Sequence, residues 1–174
     1  LLSVPLPTGA AHARTAQARI VRVTLAVATM SDVQVRLEWP AGSPQGALEL
    51  RAGRVEAPDL GYSYSNVTWR CPLSRDRDRW RCEGDVRSGN SRPLRLALDL
   101  DPARIDGRLS QRGGALAMQR LAATPDLTRI DLTRVPVAWA QALLAQAWPQ
   151  GRLKAGTATG RLDVLAPTKA PLRV

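Results

Sequence analysis

The only two cysteines of the chain lie in a repeated tripeptide. Trp69-Arg70-Cys71 and Trp80-Arg81-Cys82 flank a polar, turn-like stretch from Pro72 to Arg79. Two strands that run into and out of one tight loop would bring the two sulfurs face to face. The spacing therefore predicts a disulfide between Cys71 and Cys82, which implies an oxidising compartment.

Two other roles for the cysteine pair fit the sequence poorly. A structural zinc site takes four ligands, whereas the chain offers two thiols and one distant histidine, His12. Reactive cysteine pairs usually have the Cys-x-x-Cys spacing, and Cys71 and Cys82 lie much further apart. We expect no metal site and no cofactor.

The sequence contains no motif of a familiar enzyme. A Ser-His-Asp hydrolase needs a histidine, and the only one is His12, near the start of the chain. There is no Gly-x-Ser-x-Gly elbow, P-loop or dinucleotide fingerprint. Asp99 and Asp101 share one strand face and resemble a glycosidase pair, but at a strand end such carboxylates are typically solvated. We therefore expect a non-enzymatic protein.

The chain is strongly basic, with a formal net charge of +10, and Lys154 and Lys169 are its only lysines. Its arginines are spread along the sequence rather than gathered in one run, which favours solvated strand faces. The alternative is a surface that attracts anions: phospholipid headgroups, lipopolysaccharide or nucleic acid. We expect no nucleic-acid partner, because Trp69 and Trp80 share the cysteine face and an oxidising compartment does not suit that role.

Period-two alternation of apolar and polar residues runs through most of the chain and predicts β-strands. Two strands have the clearest apolar faces, formed by Val33, Val35, Leu37 and Trp39 in one and by Leu94, Leu96, Leu98 and Leu100 in the other. Further strands are predicted at 19–25, 47–51, 54–57, 62–71, 80–86, 105–109, 115–121, 128–133, 151–156 and 159–164. Short turns between them indicate a mainly β fold, an antiparallel meander or curled sheet that is groove-like or barrel-like.

One segment has a different period and predicts a short α-helix near residues 136–148. It is rich in Ala, Leu and Gln, Pro136 suits a first helical position, and Gly151 follows its end. Most of its surface is apolar, so we expect it to plug an open end of the sheet. The alternative, a helix lying on a membrane, usually has Lys or Arg on its polar face.

Residues 1–13 are apolar and uncharged and end in Ala11-His12-Ala13, which matches the small-residue pattern at a signal-peptidase cleavage site. We expect them to be the remnant of a secretory signal. Residues 14–174 are then one β-rich domain, or one section of a longer repetitive β protein. No apolar run is long enough to cross a bilayer as a helix.

A family resemblance lies mainly over residues 128–164. It is carried by Ile130–Trp139, by the predicted helix that follows, and by Gly151–Leu153 through Gly160–Val164. They resemble the AsmA-like superfamily of Gram-negative envelope proteins, in particular its YdbH-like branch, where an Asp-Leu-x-x-x-Pro strand leads to a short Trp-containing helix and then to Gly-x-Leu repeats. The resemblance implies a long β-sheet curled into a groove with an apolar lining, and a part in carrying phospholipid between two membranes. This chain is short for such a bridge, and its Trp-Arg-Cys hairpin is not a family hallmark.

These observations predict a periplasmic or envelope-associated protein that binds or passes lipid acyl chains along an apolar sheet face. The residues expected to line that face are Val33, Val35, Leu37, Leu94, Leu96, Leu98 and Leu100. Their alternative role is plain core. The rival function is a protein–protein assembly module of an envelope or secretion machine, similar to a type II secretion N-type component.

Overall fold

The computed structural model describes residues 14–24, 28–58, 62–89, 91–140, 150–152 and 155–165. These residues form ten strands and one short 3₁₀ helix, Val137–Ala140. The strands are β1 (Arg14–Thr24), β2 (Thr29–Trp39), β3 (Gln45–Ala57), β4 (Tyr62–Asp76), β5 (Arg79–Ser88), β6 (Leu94–Asp101), β7 (Arg104–Gln111), β8 (Gly114–Leu121), β9 (Leu127–Pro136) and β10 (Thr157–Leu165).

All ten strands belong to one antiparallel sheet, and each strand pairs with the next one along the chain. The sheet is an open meander, since β1 and β10 lie at opposite edges and pair with β2 and β9 respectively. The prediction of a mainly β, antiparallel meander is therefore confirmed. Two-residue turns join β4 to β5, β6 to β7 and β7 to β8, and so short a connection fixes the register of the hairpin that it closes.

The predicted α-helix near 136–148 is wrong where the structure describes it. Pro136 is the last residue of β9 and lies opposite Thr157, and Val137–Ala140 form a 3₁₀ helix. The backbone N–H of Val137 donates to the Gly156 carbonyl oxygen at 3.1 Å, so pairing with the β10 side continues past the proline. Residues 141–149 lie outside the described residues.

The predicted strand at 151–156 is also not observed. Its described residues have no strand assignment, and β10 begins only at Thr157. At its start the register between β9 and β10 shifts between Ala158 and Gly160. Arg134, with a φ of 46°, lies at the same place on β9. The sheet is therefore irregular where β9 ends.

The hairpin that carries the cysteines is tighter than the sequence indicates. Strand β4 continues to Asp76, so the turn consists of Arg77 and Asp78 alone, and Arg77 has a φ of 53°. The predicted polar loop thus contains a core residue, Leu73, which is buried and lies opposite Cys82. Hydrophobic burial of Leu73 holds this stretch in the sheet despite its polar neighbours.

The described core is small and lies on one side of β4 and β5. Trp69, Cys71, Leu73 and Cys82 are buried together, and apolar side chains from β2 to β6 pack against them. Among these, the rings of Trp39 and Trp80 meet edge to face with centroids 5.8 Å apart. Strands β3 and β4 lie between β2 and β5, so the two backbones are about 14 Å apart. The two indoles must therefore extend toward each other to make this contact, and both pack against the cysteine cluster.

A bend crosses the neighbouring strands β2, β3 and β4. Asp32 and Asn66 have left-handed φ values of 52° and 51°, and the pairs on either side place both opposite Gly53. Before this row the buried residue of β3 has an even number, Ala52, and after it the buried residue has an odd number, Ala57. The bend therefore keeps apolar side chains on one side of the sheet while the strands change direction.

Candidate functional site

The register brings the two predicted apolar faces together on one side of the sheet. Val35 lies opposite Leu50, Leu50 opposite Trp69, Trp69 opposite Val86, and Val86 opposite Leu94. Residues directly opposite each other in paired strands point to the same side. The face of β2 and the face of β6 are therefore parts of one surface, which we call the apolar face.

The apolar face continues from β6 to the last strand. One row runs from Leu96 through Leu109, Leu116 and Leu132 to Gly160. The next row runs from Leu98 through Gly107, Met118 and Ile130 to Leu162. At the other edge, β1 contributes Ala16, Ala18 and Ile20 opposite Leu37, Val35 and Val33. The apolar face thus spans all ten strands.

The seven predicted lining residues are not equally accessible. Val33 is 2% exposed and belongs to the core, whereas Leu100 is 36% exposed. Val35, Leu37, Leu94, Leu96 and Leu98 are half-buried. Leu37, Leu96 and Leu98 pack against the buried cysteine cluster. The structure therefore brings all seven onto one face but leaves Leu100 as the most open of them.

Other accessible apolar residues on this face were not among the predicted ones. Ile105 lies directly opposite Leu100 and is 41% exposed, and Leu162 and Ile20 are exposed to the same extent. Each lies on a predicted strand, so alternation alone identifies them as apolar positions. Their membership of the same face follows only from the register across several turns, which the sequence does not fix.

The predicted Cys71–Cys82 disulfide is confirmed, with the two Cα atoms 5.4 Å apart. The cysteines are not directly opposite each other, because Cys82 pairs with Leu73 and Arg70 pairs with Asp85. The bond therefore joins diagonal positions, and the register places Gly84 opposite Cys71. Both cysteines are at least nine-tenths buried at the centre of the apolar face.

The opposite side of the sheet, which we call the polar face, carries ion pairs between neighbouring strands. Asp99 accepts two hydrogen bonds from Arg79, both at 2.6 Å, and a third from Arg81 at 3.2 Å. The hydrogen bonds from Arg79 hold the pKa of the Asp99 carboxyl below its usual range. On other strands Arg70 pairs with Glu49. One side of the sheet is therefore mainly apolar, with Arg75 opposite Trp80 and Arg120 opposite Ile105 as charged exceptions, and the other side is charged.

The suspected carboxylate pair, Asp99 and Asp101, has structural partners. Asp99 belongs to the ion-pair group with Arg79 and Arg81. One Asp101 oxygen accepts the backbone N–H groups of Ala103 and Arg104 at 2.8 and 2.9 Å, which closes the β6–β7 turn. Within the described residues, we find no group of three or more His, Cys, Asp or Glu side chains placed to hold a metal ion.

The described part of the chain contains no helix long and apolar enough to cross a membrane. Comparisons of the chain with protein-family models, with curated proteins and with solved structures found no match. The description of this chain therefore depends on the architecture of its sheet. It is an open ten-stranded β-meander with one apolar face, one charged face and a buried disulfide at the centre of the apolar face.

Proposed function

We propose that this chain is a non-enzymatic envelope protein of the periplasm that binds lipid acyl chains on its apolar face and lets them pass along it. The observation that carries the proposal is the continuity of that face from β1 to β10. Contiguous exposed apolar surface is uncommon on monomeric proteins and usually marks a binding surface. The AsmA-like resemblance of Ile130–Trp139 supports the same function.

The dimensions of the apolar face suit an acyl chain. Ten strands spaced by about 4.8 Å give a contour of roughly 43 Å across the sheet. One leaflet of a bilayer has a hydrocarbon depth of about 15 Å. Each methylene taken out of water contributes about 0.8 kcal/mol, so a chain laid across several strands would be held without any polar contact. Movement along the face would exchange one set of such contacts for another.

The disulfide supports the proposed location. Cys71 and Cys82 are joined, and such bonds persist in secreted and periplasmic proteins but are rare in the cytosol. Their position under Trp69 ties β4 to β5 at the middle of the apolar face. The bond would preserve the shape of this face while lipid exchanges on it.

Leu100 and Ile105 provide the sharpest test, because they are exposed partners on the apolar face and neither belongs to the buried cluster. We expect the L100D/I105D variant to fold and to lose at least about tenfold in affinity for a fluorescent phospholipid, since each change places a charge against the acyl chain. The measurement is a titration followed by lipid fluorescence.

Val21 provides the matched control. It is 80% exposed on β1 and lies in the row of Asp32, away from Leu100 and Ile105. The V21D variant adds the same kind of charge at an exposed apolar residue and should bind lipid as the parent does. Equal loss in V21D and L100D/I105D, or no loss in either, would contradict the proposal.

A protein–protein assembly module is the second candidate function, and the open edges of the sheet favour it. Strand β1 pairs only with β2, and β10 only with β9, within the described residues. Open edges offer backbone groups to a further strand. If this function is correct, the chain should bind no lipid and should associate through β1 or β10, which sedimentation at rising concentration would detect.

A further inference from the structure

A second site candidate lies on the polar face, where β7 turns into β8. It is a hollow of about 640 Å³ whose charged lining consists of five arginines and one carboxylate, Asp85. The arginines are Arg92, Arg95, Arg108, Arg112 and Arg134. We call this feature the arginine hollow. So many like charges around one space repel each other unless an anion lies among them.

Most of the arginines in the hollow have no acidic partner among the described residues. Arg95 pairs with Glu83 at 2.6 Å and with Asp85 at 3.7 Å. The other four arginines form no ion pair within 4.0 Å in the described part of the chain. Elsewhere on the polar face many guanidinium groups pair with a carboxylate, as Arg161 does with Asp131, and Arg19 on β1 is an exception that stands alone among the described residues. The hollow therefore holds an uncompensated excess of positive charge.

Small residues leave room between the arginines. Ser110 lies opposite Ala115, the turn between β7 and β8 contains Gly113, and β8 begins at Gly114. Arg108 itself lies between Ala97 on β6 and Ala117 on β8. A tetrahedral oxyanion can reach the floor of such a space while long side chains close around it from the rim.

The backbone holds several of these arginines in place. The Gln111 side-chain amide donates to the carbonyl oxygens of Arg92 and Pro93 at 3.2 and 3.1 Å, which ties their loop to β7. The backbone N–H of Arg134 donates to the Thr159 hydroxyl at 3.1 Å. The loop and the bulge that carry Arg92 and Arg134 are thus anchored before any ligand arrives.

Two of the arginines have an uncommon backbone conformation. Arg112 and Arg134 have φ values of 49° and 46°, a left-handed region that residues other than glycine rarely occupy. Arg112 has it because a two-residue hairpin turn requires a positive φ, and Arg134 has it at the register shift between β9 and β10. The Arg134 guanidinium lies over Gly113, where a Cβ would come within 3.7 Å of Nη2. The β7–β8 turn, which contains Arg112, and the irregular part of β9, which contains Arg134, therefore both border the arginine hollow.

We propose that the arginine hollow binds a phosphate group, whose oxygens accept paired hydrogen bonds from Arg108, Arg112 and Arg134. The planar guanidinium fork matches phosphate oxygens two at a time. This site lies on the opposite side of the sheet from the apolar face and does not depend on acyl-chain binding. The phosphate group has two possible sources, a lipid headgroup or free phosphate.

Calorimetric titration at low ionic strength tests the site with two probes, inorganic phosphate and dihexanoyl phosphatidylglycerol below its micelle concentration. We expect saturable binding of one phosphate group per chain, weakened at least about tenfold in R108Q and in R134Q, because each loses a charge-assisted hydrogen-bond pair. R108K and R134K retain the charge but not the fork and should give intermediate affinities. Thermal melting of each variant verifies that it is folded.

Arg36 and Arg54 provide the matched controls, since both are exposed, ion-paired residues on strands remote from the hollow. R36Q and R54Q remove the same charge and should leave phosphate binding unchanged. Equal weakening by R36Q and R108Q would overturn the proposal, because it would reflect net charge alone. Absence of saturable binding to the folded parent chain would overturn it as well.

The two probes identify the source of the phosphate group. Tighter binding of the lipid than of inorganic phosphate would assign the hollow to a headgroup, and equal binding would assign it to free phosphate. Both results support the site. A single-stranded oligonucleotide that binds more tightly than either probe, and that R36Q and R108Q weaken alike, would overturn it in favour of a nucleic-acid surface. Phosphate binding that persists in L100D/I105D would separate this site from the acyl-chain proposal.

Discussion

The Cys71–Cys82 bond closes a short hairpin whose two strands already pair on either side of it. In the chain-entropy description, a bond across so short a loop stabilises by about 3 kcal/mol. The free energy of unfolding of the C71S/C82S variant should therefore be lower than that of the parent by this amount. The parent in reductant should show the same loss. Chemical unfolding with and without dithiothreitol measures the difference. Equal stability in all three samples would show that the disulfide contributes nothing.

Gly84 makes the diagonal disulfide possible, because it leaves space opposite Cys71. A Cβ at Gly84 would collide with the carbonyl oxygen of Arg70, a backbone atom that cannot turn aside. We expect G84A to destabilise the protein by about 3 kcal/mol or more, measured by thermal or chemical unfolding. Gly160 lies on the same face with no atom within 4 Å of an added Cβ. G160A should be tolerated, and equal losses in the two variants would contradict this account.

Asp99 gives the fold a dependence on acid. Its pKa is lowered in the folded protein, mainly by hydrogen bonds from Arg79, relative to an unfolded value of about 3.9. The stabilising contribution is therefore complete above about pH 4 to 5 and is lost as the pH falls through the folded-state pKa. D99N should lower the melting temperature at pH 7 by about 2–4 °C. As the pH is lowered, the melting temperature of D99N should fall by less than that of the parent.

Asp126 is the matched control for this acid dependence. It is exposed and forms no ion pair within the described residues, so D126N removes one charge without breaking a contact. Its melting temperature should follow that of the parent from pH 7 to pH 2. A parent-like acid profile in D99N would show that the Arg79–Asp99 pair does not contribute.

At the scale of elements, alternation predicted most strands because each has one face in water and one against apolar neighbours. The leucine run of β6 is the clearest example, since Leu94, Leu96 and Leu98 are separated by polar or small residues. The predicted helix failed in its described part for the opposite reason. Composition favoured a helix after Pro136, but pairing of β9 with the β10 side extends to Val137 and is a tertiary effect that local sequence does not contain.

The candidate site was predictable strand by strand but not as a surface. Alternation places Val35 and Leu37 together, and Leu96 and Leu98 together. That these two pairs share one face depends on the registers of β3, β4 and β5, and the tight turn at Arg77 was hidden by a polar stretch that contains the buried Leu73. Ile105 was missed as an accessible residue because exposure depends on how far the core extends over β7.

At the scale of the whole molecule, the sheet has two chemically different sides and little buried interior. Among the described residues the buried side chains are apolar, and most of the charged ones lie on the polar face. Arg75 and Arg120 are exceptions on the apolar face, opposite Trp80 and Ile105. A sheet of this kind is complete only when something apolar covers its open face. In the function proposed above, acyl chains would cover the apolar face, and the arginine hollow would bind a phosphate group on the other side.

The central claim, that lipid covers the apolar face, is tested most directly by native mass spectrometry of the chain purified from a Gram-negative periplasm, with lipid extraction of the same sample. The account predicts bound phospholipid on the parent and on V21D, and a mass without lipid for the folded L100D/I105D variant. A parent chain that is folded and free of lipid would contradict the account and would favour the assembly module.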